Sequence, residues 1–544
     1  MAGALPLFAT AAAPAADPST DLVSVSSTGA KGNSDSYQPD ISADGRWVAF
    51  SSFANNLVPG GSGRESIYLR DRLRGETRLV SAGAGGAPPN GASSRASISD
   101  DGRFVAFYSA ATNLTESPGG YQAYVYDRDQ GTVRRVSTNV APTTYYRHVN
   151  DADVSGDGRW VAFHAANNDI SRTDVFLYDV AGGAVRRLGE PSPGVQASSS
   201  VTSPSVSGDG RFVAYSSAAA GLVPGDLNSR GDVIVENIAT GAKERVSLTS
   251  TDGESNGDSS SGVLDHDGCV VAFVSSATNL VAGASGAGSK AFVRDRCAGD
   301  TEAVSVSNAG EVGTVSGGPS ISGDGCTVAF ATRGVLVPAP GNLATAVRDR
   351  CRGLTSRADV STAGEPSNGA AAPNSVSLGG VHGRYVAFMS TGGNLAGIDG
   401  DGVFDIFVRD RANNIAPTAS LQLSQDGSSV TVDACGSRDP DGYQLSGAVS
   451  FGDGSPDAGG LAATHRYARG GSYTVALTVT DADGATARAF QTVTVPDPPA
   501  GGGGGDGGGG GGGPMPPGGG PGAPGSGPGG GSGARPPALR LTGA

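Results

Sequence analysis

The chain has 544 residues, 89 of them glycine, and carries a formal charge of −14 with only 17% Asp, Glu, Lys and Arg. An acidic surface repels phosphate backbones, which argues against nucleic acid as a partner. No run of 18 apolar residues occurs, so no helical segment is expected to span a membrane.

Length alone suggests about three or four domains. A Gly/Pro-rich block beyond residue 497 places the end of the folded part there. Residues 1–19 begin MAGALPLFATAAAPAA, apolar and small, and Ala13-Pro14-Ala15 matches an A-x-A cleavage site. The basic residues that should precede such a segment are lacking. The segment reads as a signal peptide that has lost its basic start, with a plain leader as the other reading.

A repeat of about 56 residues follows. DGRWVAF at 44–50 returns as DGRFVAF (101–107), DGRWVAF (157–163), DGRFVAY (209–215), DGCVVAF (267–273), DGCTVAF (324–330) and HGRYVAF (382–388). Each copy carries four short segments. The first is a strand of small residues, such as Pro39-Asp40-Ile41-Ser42, ending at an Asp-Gly turn that supplies the positive φ a tight hairpin needs. The second strand is the W/F-V-A-F run, with Val48 and Phe50 on one face and Trp47 and Ala49 on the other.

After a loop of variable length, third strands are expected at 67–71, 124–127, 175–179, 233–236, 292–295, 345–349 and 406–410. Fourth strands are expected at 77–81, 133–137, 185–189, 244–247, 302–305 and 356–361. No segment holds a 3.6-residue apolar period, so helices are not expected.

Four antiparallel strands repeated seven times predict an all-β, seven-bladed β-propeller over residues 20–413. Small residues on the first strand suit a crowded channel wall, and large apolar residues on the second and third suit the space between blades. The seventh repeat stops after its third strand. Its missing partner is expected at the other end, where Thr20-Asp21-Leu22-Val23-Ser24-Val25-Ser26 reads like the fourth strand Thr301-Glu302-Ala303-Val304-Ser305-Val306-Ser307. Such a strand closes the ring and removes two exposed edges.

The run Ser155-Gly156-Asp157-Gly158-Arg159-Trp160-Val161-Ala162-Phe163 and its six counterparts resemble the WD40-like β-propeller repeat of the TolB periplasmic family and of many secreted bacterial proteins. There the run is S-P-D-G-x-x-I-A-F. The resemblance implies the fold. It says little of function, because that repeat occurs in binding proteins and as the non-catalytic part of peptidases.

From residue 415 the pattern changes. Asp439-Pro440-Asp441-Gly442, Val449-Ser450-Phe451-Gly452-Asp453-Gly454, His465-Arg466-Tyr467 and the alternating run at 473–481 resemble the hallmarks of the polycystic-kidney-disease (PKD) domain. A PKD-type β-sandwich is expected over 415–497, with a half-buried strand at 473–479. Ala448 stands where that family has a tryptophan, an exchange expected to thin the core by roughly 2–4 kcal/mol. The resemblance implies an extracellular spacer, adhesion or carbohydrate-associated module. Residues 498–544 cannot bury a core and read as a flexible, disordered tail.

Cysteine is the sharpest local signal. Cys269 and Cys297 occupy the same two repeat positions as Cys326 and Cys351 one blade later, whereas the other five copies hold Arg at the first position. Two positions that change together twice imply contact. Disulfides Cys269–Cys297 and Cys326–Cys351 are expected, as suits an oxidising compartment. A zinc site is the alternative, against which stand two separate blades and no CxxC spacing. Cys435 is left over and reads as a small buried thiol rather than a nucleophile.

Asp399, Asp401 and Asp405 have the D-x-D-G-x-x-D spacing that gathers carboxylates round calcium, and Asp226 to Asp232 is a weaker version. A polar, glycine-rich loop is the competing reading. No HExxH, GxSxG or P-loop occurs. His148, His164, His266, His382 and His465 are scattered and read as structural, and Asp100-Asp101 and Asp265/Asp267 read as turn formers.

The expectation is a monomeric, secreted, periplasmic or cell-surface binding or scaffold protein. Its partner would be a protein or an envelope polysaccharide met by the loops between second and third strands. The alternative is a polysaccharide lyase or glycosidase at the channel mouth. Several carboxylates with His or Arg in the channel would favour it, and a bland Ser/Gly/Ala channel would favour binding.

Overall fold

The computed structural model describes residues 18–497 apart from 117–118, 139–145, 168–171, 193–196, 335, 338–342, 398–399, 412–415, 439–444 and 482–484. The leader before residue 18, the tail from 498, Asp399 and the Asp439-Pro440-Asp441-Gly442 motif therefore lie outside the described residues.

Seven four-stranded antiparallel sheets form the body. Blade 1 orders Ser36–Ile41, Trp47–Ser52, Ser66–Asp71 and Glu76–Leu79 from the inside outward. Blades 2 to 6 repeat this over 93–135, 146–187, 201–245, 259–303 and 315–357. Blade 7 takes Ala371–Gly379, Tyr385–Ser390 and Asp405–Asp410 from the end of the repeat region and Ser19–Leu22 from its beginning. The closing strand runs antiparallel, with Ser19 opposite Asp410 and Leu22 opposite Phe407. Beyond it, Val23 N–H donates to the Ile406 carbonyl (2.8 Å) and Ser24 Oγ donates to Asp405 (2.6 Å).

The Asp-Gly turn has two physical reasons. The seven turn glycines, Gly45 through Gly383, have φ between 66° and 75°, a region that disfavours a side chain. Each also lies under the first side chain of the preceding blade's second strand, so a Cβ at Gly102 would collide with the Trp47 ring. The turn itself is held by side chains: Ser42 Oγ donates to Asp44 (2.6 Å) and accepts from Trp47 N–H (2.9 Å), a pattern repeated at Ser99, Ser155 and Ser322.

The core lies between blades. Val48, Phe50 and Tyr68 of blade 1 pack with Ala387, Met389, Ile406 and Val408 of blade 7. Phe50–Tyr68, Phe107–Tyr124, Phe163–Phe176, Phe273–Phe292 and Phe388–Phe407 stack across second and third strands at 5.5 to 5.9 Å. Burying each ring contributes about 1.5–3 kcal/mol.

On the loop face, reciprocal asparagine brackets in blades 1, 2 and 5 tie the entry of the first strand to the loop after the second. Asn90 N–H donates to Asn113 Oδ1 (2.9 Å) and Thr112 N–H to Asn90 Oδ1 (2.7 Å). Asn256 does the same with Asn279 and Thr278.

The second module has a three-stranded sheet (Gln422–Asp426, Ser429–Asp433, Ala462–Arg466) and a four-stranded one (Ala458–Gly459, Ser446–Ser450, Gly471–Thr480, Thr486–Val495). Val430, Val432, Val449, Phe451, Tyr467, Val475, Leu477 and Val479 fill its core. Ala448 is exposed, opposite Thr478. The expected thinning of the core does not occur, because Ala448 points away from it while its neighbour Val449 points in. Cys435 is likewise exposed rather than buried, at the turn after Ser429–Asp433.

Candidate functional site

Every first strand carries a register shift where it lines the channel. Gln38, Arg95, Ser203 and Ser261 sit in these bulges at φ of 50° to 54°, a left-handed conformation that is strained for side chains other than glycine. The bulge aims the residue two positions later at the next blade. Asp40 accepts from Ile98 N–H of blade 2 (2.7 Å) and from Ser377 Oγ of blade 7 (2.5 Å). Asp153 accepts from Val206 N–H of blade 4 (2.8 Å) and Ser97 Oγ of blade 2 (2.8 Å). Ser97 accepts from Val154 N–H and Ser320 from Leu378 N–H, both at 3.1 Å. These side chains staple neighbouring innermost strands, which share no sheet.

A cavity of about 520 Å³ runs through the channel. It is not the bland Ser/Gly/Ala passage that small first-strand residues suggest, because Asp40, Asp100, Asp151, Asp153, Asp265, Arg95 and His266 all line it. Burial pushes the carboxyls of Asp40, Asp153 and Asp265 up, to about 6, 7 and 7, against hydrogen bonds that favour the charged form. Asp265 stands where other blades place the turn serine, and accepts from Val270 N–H (3.1 Å). Arg95 pairs with Asp151 at 3.2 Å.

At the turn-side mouth His266 of blade 5 and Asp100 of blade 2 meet, Nδ1 to Oδ2, at 3.4 Å. Their hydrogen bond raises the imidazole pKa. They lie over Gly208 and Gly156, where any Cβ would collide with them. Asp100 is thus a mouth residue rather than the turn former expected, while Asp101 keeps the turn through Ser99 Oγ (2.6 Å). His382 pairs with Asp324 (2.5 Å), His465 with Asp453 (2.7 Å), and His164 accepts from Ser203 N–H (3.4 Å). The side chain of His148 lies outside the described residues.

The cysteines form Cys269–Cys297 and Cys326–Cys351. Each joins the first hairpin turn of its blade to the turn after the third strand. In blades 1, 2 and 7 the same two turns are clamped by bidentate arginine: Arg46 to Asp71 (2.9 and 2.7 Å), Arg103 to Asp127 and Arg384 to Asp410. Disulfide and ion pair are alternative clamps at one site.

Of the calcium candidates, Asp401 and Asp405 do converge, on the Lys31 ammonium at 2.7 and 2.8 Å. In blade 4, Arg245 lies between Asp226 (3.7 Å), Asp232 (3.5 Å) and Glu254 (2.8 Å). In both places a side chain of the protein supplies the positive charge: Lys31 comes from 370 positions before Asp401, Arg245 from 13 positions after Asp232. Among the described residues, no three His, Cys, Asp or Glu side chains cluster closely enough to hold a metal ion. No helix among them is long and apolar enough to cross a membrane.

Sequence reasoning passed over the stapling residues Asp40 and Asp153. The signal was present. The residue before the last apolar position of each first strand reads Asp40, Ser97, Asp153, Ser205, Val263, Ser320 and Ser377, polar in all but one blade.

Residues 414–495 match the family model of the PKD domain. A microbial collagenase of Vibrio alginolyticus is 36% identical over 95 residues, which are 17% of this chain and 12% of that protein. The chain therefore spans only a small part of that relative's length. The PKD1 domain of Vibrio anguillarum Epp is 41% identical and covers 16% of this chain and 100% of its own, with a TM-score of 0.15. The β-propeller domain of the trilobed protease from Pyrococcus furiosus is 12% identical, over 69% of this chain and 96% of its own, with a TM-score of 0.43. By its sheet topology the body of this chain is a β-propeller, and residues 414–495 are a PKD domain.

Proposed function

We propose that the chain is an extracytoplasmic binding or scaffold protein. In this reading the propeller recognises a protein or an envelope polysaccharide through its loop face, and the PKD domain serves as spacer or adhesion module. One observation carries the reading over a polysaccharide-active enzyme: each carboxylate in the channel is already engaged by the wall. Asp40 and Asp153 staple blades, Asp265 holds a turn amide, Asp151 faces Arg95 and Asp100 faces His266. General acid–base work needs a carboxyl or imidazole directed at a bound substrate, whereas these groups make the ring rigid. Rigid rings recognise through the loops they carry. Two disulfides agree with an oxidising location.

The enzyme alternative has in its favour the channel lining of carboxylates with Arg95 and His266, and above all the Asp100–His266 pair, which sits at the mouth and is half exposed. The test is a binding screen of the full chain against envelope polysaccharides and envelope proteins, with and without calcium, each glycan also assayed for chain cleavage. Saturable binding with every polymer intact is expected. Cleavage that disappears in Asp100→Asn or His266→Ala would establish the enzyme instead.

A further inference from the structure

On the turn face, the residue after the last Asp or Asn of the third strand is an arginine in five blades: Arg72, Arg128, Arg296, Arg350 and Arg411. Each donates to a carbonyl of its own first turn, as Arg128 does to Asp101 (3.1 Å) and Arg411 to Gly383 (3.0 Å). It also closes the cleft toward the preceding blade. The guanidiniums of Arg128 and Arg296 lie over the rings of Trp47 (4.3 Å) and Phe212 (4.5 Å). An acid on the preceding blade's outer strand completes the seat: Asp21 for Arg72 (2.7 Å), Glu244 for Arg296 and Glu302 for Arg350 (2.6 Å).

Between blades 2 and 3 both halves of this arrangement change. Val180 replaces the arginine, and Arg134 occupies the register position of Asp21, Glu244 and Glu302. Arg134 donates to the Val180 carbonyl (2.7 Å) and so fixes its guanidinium beside the vacant seat. What remains is a groove of about 670 Å³ lined by Phe104, Val133, Val180 and the guanidiniums of Arg103, Arg134 and Arg159.

Arg103 is bound to Asp127 (3.1 and 2.9 Å). Arg159, its counterpart in blade 3, lies over its own Trp160 (4.8 Å), and its guanidinium makes no hydrogen bond or ion pair among the described residues. Asp179, the counterpart of Asp71 and Asp127, accepts from the amides of Ala181 and Gly182 (3.0 and 2.8 Å) as they accept from theirs, but makes no ion pair with Arg159. Three arginines thus line the groove with one acid, Asp127, and both Asp127 and the neighbouring Asp129 (3.6 Å) are engaged by Arg103, in a protein of net charge −14. The next junction shows the same exchange with Ile238 and Arg186. There Ile238 packs into the cluster that Trp160 joins, and Arg211 folds back onto Asp209.

We propose that this groove binds an acidic polysaccharide through the carboxylate of a uronic acid residue. Arg159 and Arg134 would hold the carboxylate, since a guanidinium fork matches it and retains full charge at any relevant pH. The apolar C–H face of the sugar ring would lie on Val180 and the edge of Phe104. A peptide strand would need paired backbone donors and acceptors, and this lining offers mainly donors and apolar surface. The proposal rests on the polysaccharide arm of the binding function, and places the contact on the turn face rather than among the loops.

The test measures binding of an oligoglucuronate and of its neutral methyl ester to the full chain by calorimetry, for wild type, Arg159→Ala and Val180→Arg. Val180→Arg fills the seat with the residue five blades carry, here beside Arg134 instead of an acid, and its melting temperature is measured alongside so that lost binding is read only from a folded ring. The acid should bind, weakening as salt rises, while the ester and both variants lose about tenfold or more in affinity. Equal binding of acid and ester, unchanged binding in Val180→Arg, or no binding of the acid would overturn the site. So would Arg159-dependent binding of polyglutamate without binding of the uronate. Polysaccharide binding that survives both variants would sink this site and leave the broader binding function standing.

Discussion

Asp153 faces a conflict that Ser97, in the same position one blade earlier, does not. Both accept an amide from the next blade, but only the aspartate must be taken out of water with a charge to lose. Burial wins over two hydrogen bonds, and its carboxyl titrates at about 7. With Asp40 and Asp265 it holds protons that the unfolded chain releases near pH 4. The folded state then binds more protons than the unfolded state between about pH 4 and 7, and by linkage stability falls as pH rises through that window. Asp71 and Asp401 work in the opposite sense. Hydrogen bonds from Arg46 and Lys31 hold their carboxyls below the usual range, so their contribution is lost as pH falls below about 4. A stability maximum near pH 4 to 5 follows. Asp153→Asn keeps an acceptor for Val206 N–H and removes one titration, so urea midpoints should decline less between pH 5 and 8 than in wild type. An identical pH slope in the variant would show that Asp153 ionises freely in the fold.

The blade is the element that repeats, and its two turns are clamped in two chemistries. Blades 1, 2 and 7 use a bidentate Arg–Asp pair in which the arginine is partly exposed and the aspartate largely buried, an interaction worth about 1 kcal/mol. Blades 5 and 6 use a disulfide. With its cysteines 28 positions apart, Cys269–Cys297 is expected to contribute about 3–4 kcal/mol by restricting the unfolded chain. Cys269→Ala with Cys297→Ala should lower the unfolding free energy by that amount. Cys269→Arg with Cys297→Ala should regain up to about 1 kcal/mol by pairing with Asp295, as Arg46 pairs with Asp71. Urea denaturation of both double variants measures the difference, and equal midpoints would refute interchangeability of the clamps.

This level of organisation was legible in the sequence because it is local. The Asp-Gly turn, the Val-Ala-aromatic strand and the paired cysteines all fall within one repeat. The channel was not, because a stapling carboxylate is recognised only by what it touches in other blades. Ile98 lies 58 residues from Asp40, and Val206 lies 53 from Asp153. Lys31 was missed for the same reason, since its partner Asp401 is 370 positions away. Ala448 and Cys435 were misplaced where a family pattern or residue habit stood in for the face of the strand or turn.

At the scale of the whole molecule, these interactions act only in a closed ring. Each blade buries its apolar faces against two neighbours, so the junction of blades 7 and 1 contributes as much as any other, but it alone depends on a strand from the far end of the repeats. Ser19–Leu22 covers the outer edge of Asp405–Asp410, Val23 enters the core between blades 7 and 1, and Ser24 satisfies the buried Asp405. Deleting residues 18–26 would expose that edge, leave Asp405 short of its hydroxyl donor and open a hydrophobic seam, while removing few of the chain's residues. Unpaired strand edges and apolar seams associate. The truncated ring is therefore expected to melt earlier, over a broader range, and to self-associate. Hydrogen exchange gives the sharper measurement: the outward amides of 406–410 should lose protection first, followed by the first strand of blade 1, with blades 3 to 5 affected least. Uniform protection across all seven blades after the deletion would mean that the junctions, rather than the borrowed strand, hold the ring shut.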